Sequence, residues 1–207
     1  MFLIPLALAD PLTDYKVAVA SATAAVTTKA MPKIASCKRP TSPLAVTVDL
    51  DAGTAVTAAI SATGPSRAPN ACVEKAVLAA LTPRPAAGRE AVVVLDAAGR
   101  LDGDVALLGD LPHDAIEAGV LPGMRAVAAC YAAGLAQTPG IGGDLVVSFT
   151  VLPDGRALSP SVKRDTLLSK DTAKCVLAQV SGMRFQPPSH SAVARVSYPF
   201  TFRPPEE

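Results

Sequence analysis

Four cysteines (Cys37, Cys72, Cys130, Cys175) and two histidines (His113, His190) are the residues of this 207-residue chain suited to covalent or metal chemistry. A thiol can serve as a nucleophile, a metal ligand or half of a disulfide, and spacing separates these roles. No two cysteines stand in C-x-x-C spacing, and both histidines lie far from all four in sequence, so zinc is a poor reading. No Ser/Asp or Cys/Asp arrangement in a known order surrounds either histidine; a solvated loop histidine is the plainer reading of each. Gly140-Ile141-Gly142-Gly143 lacks a following Lys-Ser/Thr and leads into a strand, so it reads as a turn and not a phosphate cradle. Asp102, Asp104 and Asp110 are spaced like a calcium loop but lack its bidentate Glu, and read as a solvated linker. No catalytic residue, metal ligand or cofactor site is assigned, and the chain is expected not to be an enzyme.

The cysteines instead mark a repeat. Met31–Cys37 (MPKIASC) reads against Met124–Cys130 (MRAVAAC), and the alternating run Leu44, Val46, Val48, Leu50 against Leu145, Val147, Phe149, Val151. Turns follow at Asp51-Ala52-Gly53 and Pro153-Asp154-Gly155, then a helical stretch carrying Cys72 or Cys175, then proline pairs and a closing β-type run. With one cysteine pair per copy, the disulfides Cys37–Cys72 and Cys130–Cys175 fit, each contributing about 4 kcal/mol on the loop-closure model. Four buried free thiols in a cytosolic protein are the alternative. Domains of this size have thin cores, and a chain with no Trp and few aromatics buries modest area, so covalent restraint suits it. The net charge of +1 is spread evenly, without a basic cluster, and excludes nucleic acid as a natural partner.

Periodicity supplies the elements. Residues 18–31 read as a lead helix or a flexible lead, and Leu44–Leu50 with Ala55–Ile60 as a hairpin. Asn70 caps a helix with the stripe Val73, Ala76, Val77, Ala80, Leu81, which Pro83 stops, and Ala91–Leu95 closes the copy. In the second copy a helix over Pro112–Leu121 is interrupted by Gly119 and Pro122, and a second runs from Met124 to Pro139-Gly140. Leu145–Leu152 is a strand, Ser169 or Asp171 caps the next helix, and Ala194–Phe202 is the last strand. Each copy is α-β-β-α-β: an α+β layer with helices packed on a small antiparallel sheet. The expected division is residues 1–13 as a lead or signal-peptide remnant, 14–97 and 111–205 as modules, and 98–110 as a linker.

Met1–Ala9 is apolar and ends in Ala7-Leu8-Ala9, like a signal-peptidase site, but has no basic n-region and is short. A truncated or misassigned start codon explains both defects; a real N-terminal strand is the alternative. No uninterrupted run of about 18 apolar residues is present, so no transmembrane segment is expected.

In the second copy, Val127-Ala128-Ala129-Cys130-Tyr131, Gly143–Phe149, Val151–Arg156, Cys175-Val176, Arg184-Phe185-Gln186-Pro187 and Ser197–Phe202 stand in a shared order. This order resembles the TonB-like C-terminal domains of myxobacterial AgmX/PglI-type proteins, over roughly residues 111–204. The first copy keeps the spacing but has Lys38 after Cys37 and ends in Val92-Val93-Val94-Leu95, a diverged module. The resemblance implies a periplasmic or secreted protein of the cell envelope in a myxobacterium-like organism. It also implies a sheet that, in TonB, pairs with a segment of an outer-membrane receptor. A TonB energy transducer carries a membrane anchor and a Pro-rich spacer, neither of which is read here, so a tandem of interaction modules is expected.

The function expected is binding of a protein or peptide segment by strand addition at a sheet edge. Arg195, Ser197, Tyr198 and Thr201 on the last strand are the partner-binding candidates. The rival expectation is a scaffold subunit of a motility or secretion complex, assembled by module–module pairing.

Overall fold

The computed structural model describes residues 10–37, 42–60 and 66–204, so the readings placed on Met1–Ala9 fall outside the described residues. The chain divides into two compact units, Met1–Gly109 with Ser189–Ala192, and Asp110–Pro188 with Val193–Glu207. Each has its own hydrophobic core.

In the first unit α1 (Pro11–Ala25) runs through a π-helical turn (Val26–Ala30) into α2 (Met31–Ile34). Asp10 caps it by accepting the Leu12 N–H at 3.2 Å. Helix therefore starts ahead of residue 14 and replaces the flexible-lead alternative. There follow β1 (Leu44–Asp49), β2 (Thr54–Ala59), β3 (Ser66–Arg67), α3 (Ala71–Ala80), β4 (Glu90–Leu95) and β5 (Ala106–Leu108). The sheet order is β3-β2-β1-β4-β5, with every pairing antiparallel. Alternation in β1 sends Leu44, Val46 and Val48 into the core. Asp49 then ends the strand, its carboxylate accepting the N–H groups of Asp51 and Ala52 at 2.9 and 2.8 Å. Asn70 caps α3 by accepting the Val73 N–H at 3.2 Å, and Val73, Ala76, Val77 and Ala80 form its buried stripe.

Within the stretch 98–110, expected to be a linker, Ala106–Leu108 form a strand of this sheet. β5 pairs with β4, and Val105 and Leu107 are fully buried, so the three-stranded sheet expected here has five strands. Gly and Asp punctuation around a run of only three residues hid the strand.

The second unit contains α4 (His113–Val120), a 3-10 turn (Leu121–Gly123), α5 (Met124–Gln137), β6 (Gly143–Val151), β7 (Ala157–Asp165), α6 (Lys170–Gly182) and β8 (Ala194–Phe202). Its sheet order is β7-β6-β8. The inner face of β6 (Leu145, Val147, Phe149, Val151) packs under Val127 of α5 and Val176 and Val180 of α6. Burying one such side chain stabilises by about 1.5–3 kcal/mol. Ser169, not Asp171, is the cap of α6. The stretch His113–Gln137 is long and apolar enough, by length and composition, to cross a bilayer. It is not an unbroken apolar run, because Asp114, Glu117 and Arg125 interrupt it. Here its Val120, Val127 and Cys130 belong to the core of the unit.

Cys37 is joined to Cys72 and Cys130 to Cys175, with Cα–Cα distances of 5.8 and 5.7 Å. The second bond ties α5 to α6. Nearby, Gly134 leaves room for the Thr172 side chain, which a Cβ would meet at 2.2 Å. In the first unit Cys37 sits in the turn after α2 and not within the helix.

A non-reduced digest is expected to yield Cys130 linked to Cys175. Replacing both by serine is expected to lower the unfolding free energy by about 3–4 kcal/mol, read from urea midpoints.

Three turn carboxylates give the fold an acid limit. Asp49 is held below the usual carboxylate range by the Ala52 N–H, and Asp96 by the Arg100 N–H. At Asp154 burial acts upward but is outweighed by the N–H and guanidinium of Arg156, at 3.0 and 2.6 Å. Each group is more acidic folded than unfolded. Its contribution is therefore complete above the unfolded value of 3.8 and lost as the pH falls through the folded one. Urea midpoints should hold steady from neutrality to about pH 5 and fall below about pH 4, less steeply with all three residues replaced by Asn.

Candidate functional site

A sheet edge is a line of backbone donors and acceptors, and its capacity to bind depends on length, flatness and what already covers it. The two sheets present four rims. In the first unit β3 is two residues long and β5 three. Beyond β3, the Glu74 carboxylate accepts both the backbone N–H of Thr57, at 2.9 Å, and contact from its hydroxyl, at 2.7 Å. The same hydroxyl accepts the Asn70 N–H at 2.8 Å, so this buried threonine locks α3 over the rim of β2.

In the second unit β7 is long but irregular. Its register on β6 shifts twice, between Val146 and Val147 and between Ser148 and Thr150, and Pro160 lies within it. Bulges and prolines are the devices that blunt an edge. β8 differs: nine residues in nine consecutive pairs with β6, from Gly143↔Phe202 to Val151↔Ala194, and no strand on its other side among the described residues.

Hydrogen-bond parity fixes which atoms of β8 face outward. The Asp144 carbonyl is taken by the Thr166 N–H at 2.8 Å on the β7 side, so its pair Thr201 is not hydrogen-bonded to it. Pairs alternate along an antiparallel ladder. Arg195, Ser197, Pro199 and Thr201 therefore turn their backbone groups to the free rim, while Val196, Tyr198 and Phe200 bond β6. Pro199 agrees, having no N–H to give to β6. The close side-chain contacts Ser148–Ser197, at 2.8 Å, and Thr201–Asp144, at 2.9 Å, also join directly opposed residues.

The structure thus splits the four predicted residues. Arg195, Ser197 and Thr201 present rim backbone and exposed side chains on the outer face. Tyr198 faces the other way, half-buried, its ring 5.1 Å from that of Phe200. Further along, Phe202 meets the Tyr131 ring of α5 at 4.9 Å. Sequence reasoning left the edge unassigned, although Pro199 in mid-strand was a usable signal for it. His113 is exposed, 3.2 Å from Glu117, and His190 is an exposed loop residue. Among the described residues no three His, Cys, Asp or Glu come together, and Asp102, Asp104 and Asp110 form no such group. An open cleft of about 350 Å³ lies between the 3-10 turn and the end of α6, lined by Pro122, Gly123, Gln179 and Met183.

The chain is an α+β protein built on two small antiparallel sheets covered by helices. No family model and no curated protein matches it. Among solved structures, the TonB C-terminal domain of Pseudomonas aeruginosa is 25% identical over 36% of this chain and 77% of its own, with a TM-score of 0.30. The TonB C-terminal domain of Helicobacter pylori is 17% identical over 41% and 82%, with a TM-score of 0.27.

Amide hydrogen exchange should separate the two sets on β8. Val196, Tyr198 and Phe200 are expected to exchange roughly a hundredfold more slowly than Arg195, Ser197 and Thr201.

Proposed function

We propose that this chain is a non-enzymatic interaction protein of the cell envelope, and that it takes up an extended protein or peptide segment by strand addition on β8. The observation that carries this reading is the contrast among the four rims. Three are short, bulged or covered, and β8 is long, regular and, among the described residues, without a strand on one side. Strand addition draws affinity from main-chain hydrogen bonds and specificity from alternate side chains. β8 offers both, with rim donors at Arg195, Ser197 and Thr201 and an apolar inner row of Val196, Tyr198 and Phe200. An oxidising compartment, periplasmic or extracellular, accords with two disulfides and no free cysteine among the described residues. The motif order shared with AgmX/PglI-type TonB-like domains supports the same setting. On this reading the units are two copies of one module, the first serving as support.

Ser197→Pro tests the proposal because it deletes a rim donor and leaves the β6 ladder untouched. The oxidised variant should keep its circular dichroism and urea midpoint. Capture of envelope proteins should fall at least tenfold, since an acceptor left unpaired on the partner costs about 1–3 kcal/mol. Undiminished capture by the folded variant would count decisively against strand addition at β8.

A further inference from the structure

The first unit carries its own occupant at the position that the second leaves bare. The pairings establish the equivalence: Leu44 and Leu145 lead the alternating rows of the two central strands and pair with Leu95 and Phe200. Hence Leu95 corresponds to Phe200, Val94 to Pro199, Val93 to Tyr198, Val92 to Ser197, Ala91 to Val196 and Glu90 to Arg195. In the first unit this strand is not an edge. The segment that follows it turns back and pairs antiparallel, Leu108 opposite Glu90, Leu107 opposite Ala91 and Ala106 opposite Val92, with a further bridge from Leu101 to Leu95.

The manner of pairing specifies the chemistry of an occupant. Val105 and Leu107, one residue apart, enter the core and are 1% and 0% exposed. They continue the inner row of β4 as a second aliphatic row. At Val94 the segment uses the carbonyl, which accepts the Asp102 N–H at 2.8 Å. The corresponding Pro199 has a carbonyl and no N–H, so its ring does not forbid the same arrangement. Charge agrees as well. The segment Leu101–Asp110 has three aspartates and no basic residue. β8 has Arg195 near its start and Arg203 just past its end, both exposed, and among the described residues the ion pairs of that sheet join Arg164 to Asp144 and Arg156 to Asp154.

We infer that the open rim of β8 receives an extended segment running antiparallel to it, with aliphatic side chains at two alternate positions and acidic residues at its ends. The first unit, complemented by Leu101–Leu108, is closed to such a segment. This rests on the strand-addition reading and adds orientation, side-chain pattern and charge.

The test uses the full oxidised chain and two synthetic peptides. One has the sequence of residues 101–110; the other has the same composition with the residues of positions 105 and 106 exchanged, which places Val beside Leu107 and Leu108 and breaks the alternation. Amide exchange is followed residue by residue. The native-order peptide is expected to slow exchange at Arg195 and Ser197 at least tenfold and to leave Glu90 and Val92 unchanged. A nitroxide on its N-terminus should broaden resonances near Thr201 and not near Ala194. Adding 0.5 M salt should weaken the effect. Equal protection by the scrambled peptide, or broadening near Ala194, overturns the inference and leaves strand addition standing. Protection by neither peptide overturns both. Arg195→Pro removes the donor that corresponds to Glu90, the residue opposite Leu108; with the urea midpoint kept, loss of protection at Ser197 in this variant supports the site, and protection kept there overturns it.

Discussion

Every backbone group at the rim of a sheet has to be satisfied by the protein, by water or by another chain, and this one demand arranges most of the molecule. The central strands β1 and β6 are paired on both sides, so the demand moves outward by one strand. In the first unit it is met internally at both rims: by the Thr57–Glu74–Asn70 network and β3 on one side, and by β5 on the other. In the second unit bulges and Pro160 disable one rim, and no strand among the described residues pairs with the other. The two units thus differ at the margins of their sheets.

The cores themselves are modest. Ala and Val fill much of both, and six of the eight aromatic residues, Tyr131, Phe149, Phe185, Tyr198, Phe200 and Phe202, lie in the second unit. A thin core holds a helix pair weakly, because dispersion and hydrophobic gain scale with the area in contact. The bond from Cys130 to Cys175 fixes the pair where Gly134 lets it approach closely. Phe149 and Phe185, with ring centres 5.2 Å apart, secure the opposite end of the same layer. A rigid layer behind β8 matters for any edge that binds, since an edge that bends loses register with its guest.

Much of this was legible in the residues. The alternation of Leu44–Leu50, Leu145–Leu152 and Ala194–Phe202, the Asn70 cap and both cysteine pairings are local or periodic signals, and such signals survive translation into structure. β5 was not legible, because three residues between glycines and aspartates carry no period, and their strand character comes wholly from β4 beside them. The π-helical turn at Val26–Ala30 and the short β3 were hidden for the same reason. The rim parity of β8 lay in between: Pro199 announced an edge, but only the Thr166–Asp144 bond shows which way the alternate amides point.

Chain order gives the β5 pairing another consequence. A chain leaves the ribosome N-terminus first, and domains tend to fold as they appear. Residues 96–105 alone separate β4 from β5, so the first sheet can seal its rim before the helices of the second unit have been made. While synthesis continues, neighbouring nascent chains on the same messenger meet a finished surface and not a raw strand. The open rim arises only with β8, the last strand of the second sheet, after the helices of that unit have been made.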